Sequence, residues 1–230
     1  MEKAALVTGG SSGIGLALAR MLSEEGYALT VTARTVEKVE AAAAELGALA
    51  VPADVSREED CERIVAAHEE RHGRLDVLVN SAGVGIVGRL EDTTAKQWDL
   101  QLGVNLRGLF LVTRAALPLL KASRGQVVNV ASIAGTVPSP MLGAYGASKA
   151  AVISVTRTLN AELEQDGVRA TALCPAFVDT PMAAWSGLPP EELIRPEDCA
   201  ELVRALLRLS PHARVSEIVV ERVGSRDLPV

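Results

Sequence analysis

Aromatic side chains are scarce in this chain: two Trp, two Tyr and two Phe make up 3% of its 230 residues. The core must therefore be built from Ala, Val, Leu and Ile, within a hydrophobic share of 48%. An excess of basic charge is also missing. Lys and Arg number 23 against 29 Asp and Glu, a formal net charge of −6. That balance argues against a nucleic-acid partner, which calls for a basic patch or stripe. No apolar run reaches the ~18 residues that span a bilayer. The opening Met-Glu-Lys-Ala-Ala-Leu-Val-Thr-Gly-Gly lacks the basic region and long apolar segment of a signal peptide, so no membrane partner is expected. Cysteine is limited to Cys61, Cys174 and Cys199, which show no metal-ligand spacing and cannot all pair with one another. A reducing, cytoplasmic setting without a metal site follows. Cys174, at a strand end, reads as a small buried hydrophobe.

Linkers, internal repeats and low-complexity tracts are absent too, so residues 1–230 are expected to form one domain. What fills the chain is a steady alternation of strand-like and helix-like stretches. Strands are expected at Ala4–Thr8, Ala28–Ala33, Ala48–Pro52, Leu75–Val79, Gln126–Ala131, Arg169–Leu173 and Glu217–Glu221. Helices are expected at Ile14–Glu25, Val36–Leu46 with Gly47 as its C-cap, Ala95–Leu120, Ala144–Asp166 stopped by Gly167, and Glu197–Leu209. Ser56, with Glu59 three residues on, reads as a capping box for one more helix. Continuous apolar strands alternating with helices predict an α/β, doubly wound, Rossmann-type fold. Its sheet has seven mostly parallel strands, with helices on both faces.

Three local patterns carry chemistry. Thr8-Gly9-Gly10-Ser11-Ser12-Gly13-Ile14-Gly15 joins the first strand to the first helix. A helix amino terminus preceded by glycines attracts a phosphate through free N–H groups and the helix dipole, although a ligand-free tight turn has the same composition. Tyr145 and Lys149 are four residues apart, on one face of a helix. A neighbouring cation favours phenolate, so the pair is expected to lower the tyrosine pKa from its usual ~10 and fit Tyr145 for proton transfer. Ser132 lies thirteen residues upstream, directly after the fifth strand. Open parallel sheets bind ligands beyond the carboxyl ends of their strands, so Ser132 and Tyr145 face one edge.

Thr-Gly-x-x-x-Gly-x-Gly in the first turn, Asn-x-Ala-Gly after the fourth strand and Tyr-x-x-x-Lys downstream occur in that order. Together they resemble the short-chain dehydrogenase/reductase family in its compact form, from about Lys3 to Val220. The resemblance implies that Thr8, Gly9, Ser11, Ser12, Gly13, Ile14 and Gly15 form a pyrophosphate turn. It implies that Asp54 and Val55 contact an adenine, Asp54 accepting from its amino group. Asn80, Ala82 and Gly83 would steady the central sheet and wall the adenosine ribose, with Ser81 where the family often has a second Asn. Tyr145 would be the general acid or base in hydride transfer between cofactor and a carbonyl or alcohol. Ser132 would orient the reacting oxygen, and Lys149 would hold the nicotinamide ribose. Asn105 would hold a water that relays protons from Lys149. Pro175, Val178 and Thr180 would hold the nicotinamide end, with Ala176 replacing a glycine; should the backbone need positive φ there, Ala would cost ~1 kcal/mol.

Cofactor choice rests on Ala33, Arg34 and Thr35 at the end of the second strand. An acidic residue there would accept from the 2′-hydroxyl of NAD, whereas the Arg34 fork suits the 2′-phosphate of NADP. A solvated arginine opening a helix fits the same pattern; NADP(H) is expected ahead of NAD. Pro181–Arg195 reads as a short substrate lid. Met182, Trp185 and Leu188, with Ile133, Met141, Leu142 and Phe177, suggest an apolar pocket or equally suit packing. A neutral, fairly apolar small-molecule carbonyl or alcohol is the expected substrate class, and a non-catalytic nucleotide sensor is the alternative. The resemblance implies a homodimer or homotetramer, although Ile218–Gly224 lacks the Asp-Gly-Gly that often follows the last strand.

Overall fold

The computed structural model describes residues 2–223; Gly224 and the polar tail lie outside the described residues. The elements run β1 (Ala4–Thr8), α1 (Gly13–Glu24), β2 (Ala28–Ala33), α2 (Val36–Leu46), β3 (Leu49–Pro52), α3 (Glu58–His72), β4 (Val77–Asn80), α4 (Ala95–Leu102), α5 (Leu109–Ser123), β5 (Gln126–Val130), α6 (Gly143–Glu162), β6 (Arg169–Pro175), α7 (Pro196–Leu207) and β7 (Glu217–Val220). All seven strands join one parallel sheet in the order β3-β2-β1-β4-β5-β6-β7.

Alternation along β1 divides the core. Ala5 and Val7 point to one face, where Leu18 and Leu22 of α1 and Val203 and Leu206 of α7 cover them. Leu6 points to the other face, into Ile64 of α3 and Val112, Ala116 and Leu120 of α5. Both faces are thus buried, which is why the strands are apolar throughout and need no polar alternation. β1 is flanked by β2 on one side and β4 on the other. The chain winds outward in two directions from that pair, and a cleft opens between the loops at their carboxyl ends.

The local reading holds at Gly47, which closes α2 in the left-handed region with φ 63°. Gly167 does not stop α6: the helix ends at Glu162 with Leu163 as its C-cap, and turn residues intervene before Gly167, which has φ 72°. Two further readings need correction. Ser56 caps no helix: α3 starts at Glu58 behind Arg57, and the Ser56 hydroxyl instead donates to Asp54 Oδ1 at 2.8 Å. A short polar side chain two residues after an aspartate closes a local turn more readily than it reaches forward to a helix. The helix expected over Ala95–Leu120 is not uniform either, since Gly103–Gly108 forms a π-helical turn between α4 and α5. The combined stretch Ala95–Ser123 is long and apolar enough to cross a membrane, but half of its apolar window is buried within the protein, where α5 packs against α3 and β4.

Candidate active site

The glycine turn owes its path to close backbone approaches. A Cβ on Gly9 would come within 2.8 Å of the Ala82 nitrogen, Gly9 has φ 67°, and a Cβ on Gly15 would collide with the Gly9 carbonyl. Only glycine lets the turn lie flat against the loop after β4. Thr8 ties the two together, its hydroxyl accepting from Ser81 N at 3.1 Å and Ala82 N at 3.2 Å. Ser12 precedes α1 in extended conformation and makes no side-chain cap. The first-turn amides of α1 therefore keep their N–H groups directed at the cleft.

The cleft has two connected parts sharing Gly9, Ser12, Ala82 and Gly83. The larger, about 340 Å³, runs from the glycine turn past Ser132, Tyr145 and Lys149 to Pro175, Val178 and Thr180. The smaller, about 190 Å³, is lined by Ser11, Arg34, Thr35, Asp54 and Val55, as expected, and also by Thr32, Lys38, Ala53, Val84 and Val104. Arg34 and Lys38 are exposed, and neither forms an ion pair among the described residues. Thr8 and Asn80 line neither part. The Asn80 amide donates to Asn129 Oδ1 at 2.9 Å and Thr113 Oγ1 at 3.0 Å, so it fastens β4 to β5 and α5. Thr8 and Asn80 hold the walls and do not face the cleft.

Ser132, Tyr145 and Lys149 converge because a tight turn presses onto α6. A Cβ on Gly135 would come within 2.6 Å of the Lys149 carbonyl carbon, and one on Gly146 within 2.7 Å of the Ala134 oxygen. The Ser132 hydroxyl accepts from Ala134 N at 3.2 Å and lies against the Tyr145 phenol, where its hydrogen bond favours the phenolate. The expected lowering of the Tyr145 pKa is not what this arrangement produces. Burial dominates and raises it, with Ser132 opposing. The Lys149 ammonium stands 5.6 Å from the ring centroid and donates to Val130 O at 2.7 Å. Desolvation pulls the lysine itself down to about 8.

Asn105 sits in the π-helical turn, fully buried. Its amide donates to Val84 O at 2.9 Å and Ser148 Oγ at 3.0 Å, and its oxygen accepts from Val84 N at 2.8 Å. Both side-chain donors are taken by protein atoms, so the side chain clamps the loop after β4 to α6 beside Lys149. Ala176 has no positive φ, the non-glycine cases among the described residues being Arg124 and Met141. The penalty considered for Ala176 does not arise.

Ile133, Leu142, Phe177, Met182 and Trp185 line the larger cleft, and the Phe177 and Trp185 rings meet edge to face at 5.6 Å. Met141 does not: it turns outward with φ 68° and is exposed. Leu188 also stays out of the lining. Residues Pro181–Ser186 form a 3-10 turn over the cleft, and a bridge between Val178 and Ile194 closes the base of the segment. Gly85, unnoticed in the sequence, lies between Met182 and Tyr145. Lys149 is the sole charged side chain lining this part. Cys61, Cys174 and Cys199 are buried and free, and no metal-binding cluster of His, Cys, Asp or Glu occurs among the described residues.

A parallel sheet with a glycine turn at its switch point, and Ser, Tyr and Lys facing that turn, defines a dinucleotide-type oxidoreductase scaffold. The chain belongs to the short-chain dehydrogenase family, whose profile matches residues 3–188. An uncharacterized oxidoreductase of Staphylococcus epidermidis is 35% identical over 225 residues, covering 96% of this chain and 98% of that protein. One of Staphylococcus aureus is 35% identical over 226 residues, with the same coverages. Among solved structures, an alcohol dehydrogenase from the archaeon Thermococcus sibiricus complexed with 5-hydroxy-NADP superposes with a TM-score of 0.91 at 35% identity, covering 97% of this chain and 98% of that one. A 3-ketoacyl-(acyl-carrier-protein) reductase from Brucella melitensis complexed with NADH superposes with a TM-score of 0.88 at 32% identity, covering 98% of each chain.

Proposed function

We propose that the protein interconverts a carbonyl and an alcohol on a neutral, fairly apolar small molecule, using NADP(H) with Tyr145 as the general acid and base. The observation that carries this reading is the convergence of Ser132, Tyr145 and Lys149 on one cleft of about 340 Å³ that begins at the glycine turn. The residues present fit a dinucleotide. The turn offers uncapped α1 amides for a pyrophosphate and glycines where any Cβ would obstruct.

The dinucleotide, when bound, supplies or accepts the hydride. In the reducing direction Tyr145 donates its phenolic proton to the carbonyl oxygen, and Ser132 hydrogen-bonds the same oxygen. A raised phenol pKa suits that step, because the hydroxyl stays protonated until the oxygen becomes basic. The Lys149 ammonium stabilises the phenolate left behind, and its pKa of about 8 lets it return a proton near neutral pH. In the oxidising direction Tyr145 takes the proton of the alcohol. The apolar lid residues Met182 and Trp185 exclude water and select an uncharged substrate.

Arg34 and Lys38 support NADP(H) over NAD(H): two cations beside the adenosine part, without ion-pair partners among the described residues, suit a 2′-phosphate. A homodimer or homotetramer is supported by exposed Trp98 and Leu100 on α4 and Phe110 on α5. Buried free thiols agree with a reducing compartment. Fluorescence titration with NADPH and NADH, followed by NADPH oxidation against a panel of ketones and aldehydes, tests the reading. Tyr145→Phe should lower kcat by about 10²–10⁴ and leave NADPH affinity within twofold. Tight binding without turnover on the whole panel would favour a sensor, and a preference for NADH would overturn the role of Arg34.

A further inference from the structure

We propose that Gln101 is a positioning residue for substrate choice, setting through Ile86 where Gly85 stands against Tyr145 and Met182; the assignment rests on the carbonyl–alcohol reading above. The segment after β4 joins the two parts of the cleft. Val84 lines the smaller part, Gly83 both and Gly85 the larger. Among the described residues no backbone–backbone hydrogen bond holds residues 82–87; the next one along the chain runs from Gly88 N to Met141 O at 2.8 Å.

Side chains hold the segment instead. Asn105 takes both the N–H and the carbonyl of Val84, at 2.8 and 2.9 Å. Gln101 lies four residues earlier, on α4, and its Oε1 accepts from Ile86 N at 2.9 Å. Asn105 thus fixes the residue before Gly85, and Gln101 fixes the residue after it. Gln101 is also the one buried residue among the eight of α4. An amide in that place costs desolvation that an apolar side chain would avoid, and the bond to Ile86 offsets it. Its Nε2 reaches Gln97 O, one turn back, at 3.3 Å. Gln101 itself lines neither part of the cleft.

Gly85 has no side chain, so the path of its backbone is the position of the wall. Met182 Sδ and Tyr145 Cδ2 lie 3.5 and 3.6 Å from where its Cβ would stand. A pinned backbone keeps that wall close to the phenol and limits the bulk admitted beside it. Without the Gln101 oxygen the Ile86 N–H would lose its partner, and the segment would relax until the amide met water. Val84 would stay fixed by Asn105, and Ala82 by Thr8 Oγ1 at 3.2 Å. The disturbance falls on the substrate end and spares the dinucleotide end.

Gln101→Met keeps the length of the side chain and removes the acceptor. In hydrogen–deuterium exchange of the ligand-free protein, one amide in the peptide spanning residues 82–88 should exchange roughly 5- to 30-fold faster. The KM of an aryl ketone relative to that of a small ketone should fall about fivefold, with KM moving more than kcat. A double-mutant cycle separates positioning from general destabilisation. Gly85→Ala should raise the aryl-ketone KM roughly tenfold in wild type and at most about threefold in Gln101→Met, because an unpinned wall can retreat from the added methyl. Gln101→Asn, one methylene too short to reach Ile86, should reproduce these results and guards against a folding defect peculiar to the Met variant. The assignment is overturned if exchange in residues 82–88 is unchanged in both variants, or if Gly85→Ala carries the same KM penalty with and without Gln101. A wild type that turns over no carbonyl would instead remove the carbonyl–alcohol reading, and this assignment with it, whatever the exchange shows.

Discussion

Lys149 donates to the Val130 carbonyl at 2.7 Å while its nitrogen stands 5.6 Å from the centre of the Tyr145 ring. The ammonium is anchored to the end of β5 and held over the phenol, and the side chain is buried at the cleft. That position costs stability, since desolvation lowers its pKa from 10.5 to about 8.

Removing the charge should expose that cost. Lys149→Met is expected to stabilise the ligand-free protein at pH 7 by about 1–3 kcal/mol, measured by urea unfolding. The same variant should lose at least ~10² in kcat. The native pKa is depressed, so the unfolded chain holds the proton more tightly between about 8 and 10.5. Wild-type stability should therefore rise with pH across that window, and the variant should lack this rise.

His68 should govern the acid limb. It is fully buried between Thr30 and the Arg74 carbonyl, with its pKa lowered by burial from 6.5 to about 4. Between those values the unfolded chain takes up a proton that the native imidazole refuses. Stability should be complete above about pH 6.5 and fall by about 3 kcal/mol as pH drops toward 4. Urea titrations from pH 4 to 7 should show that slope, and His68→Gln should flatten it. An unchanged slope in the variant would assign the acid limb to other groups.

Gly85 separates Tyr145 from the lid. A Cβ there would lie 3.5 Å from Met182 Sδ and 3.6 Å from Tyr145 Cδ2, ordinary contact distances. Gly85→Ala should fold normally and keep dinucleotide affinity. It should narrow the substrate end, raising KM roughly tenfold for branched or aryl carbonyls and little for small ones, as one methyl in an apolar pocket does. Equal effects on all substrates would place Gly85 outside the specificity surface.

Arg124 ends α5 in the left-handed region with φ 52°, a position glycine occupies without strain. Arg124→Gly should raise stability by about 0.5–1 kcal/mol, read as a higher urea midpoint. Arg124 also packs its side-chain carbons near Gly167, so a smaller gain would measure that contact.

The elements legible in the sequence were those with strong local causes. β1 is a run of small apolar residues followed at once by glycines, and Gly47 follows α2 where a C-cap belongs. Tyr145 and Lys149 were legible because four residues make one helical turn, whatever surrounds them. The π-helical turn at Gly103–Gly108 was not, since one extra residue per turn leaves the apolar pattern nearly unchanged. Ser56 misled because a capping box and an Asp-centred turn use the same residue types. Met141 was assigned to the pocket by composition alone, and its positive φ turns it away.

What the sequence by itself determined was the alternation of strands and helices, the glycine turn and the spacing of the reactive side chains. These follow from backbone sterics and helix periodicity over a few residues. What only the tertiary structure decided was the protonation chemistry and the shape of the cleft. The Tyr145 pKa is set by the burial that packing imposes on it and by Ser132, thirteen residues away in sequence. The pairing of Thr8 with Ser81 and the missing partner of Thr32 depend on strands brought side by side from distant parts of the chain. Solvent exclusion and partner supply are properties of packing, and no local stretch of sequence contains them.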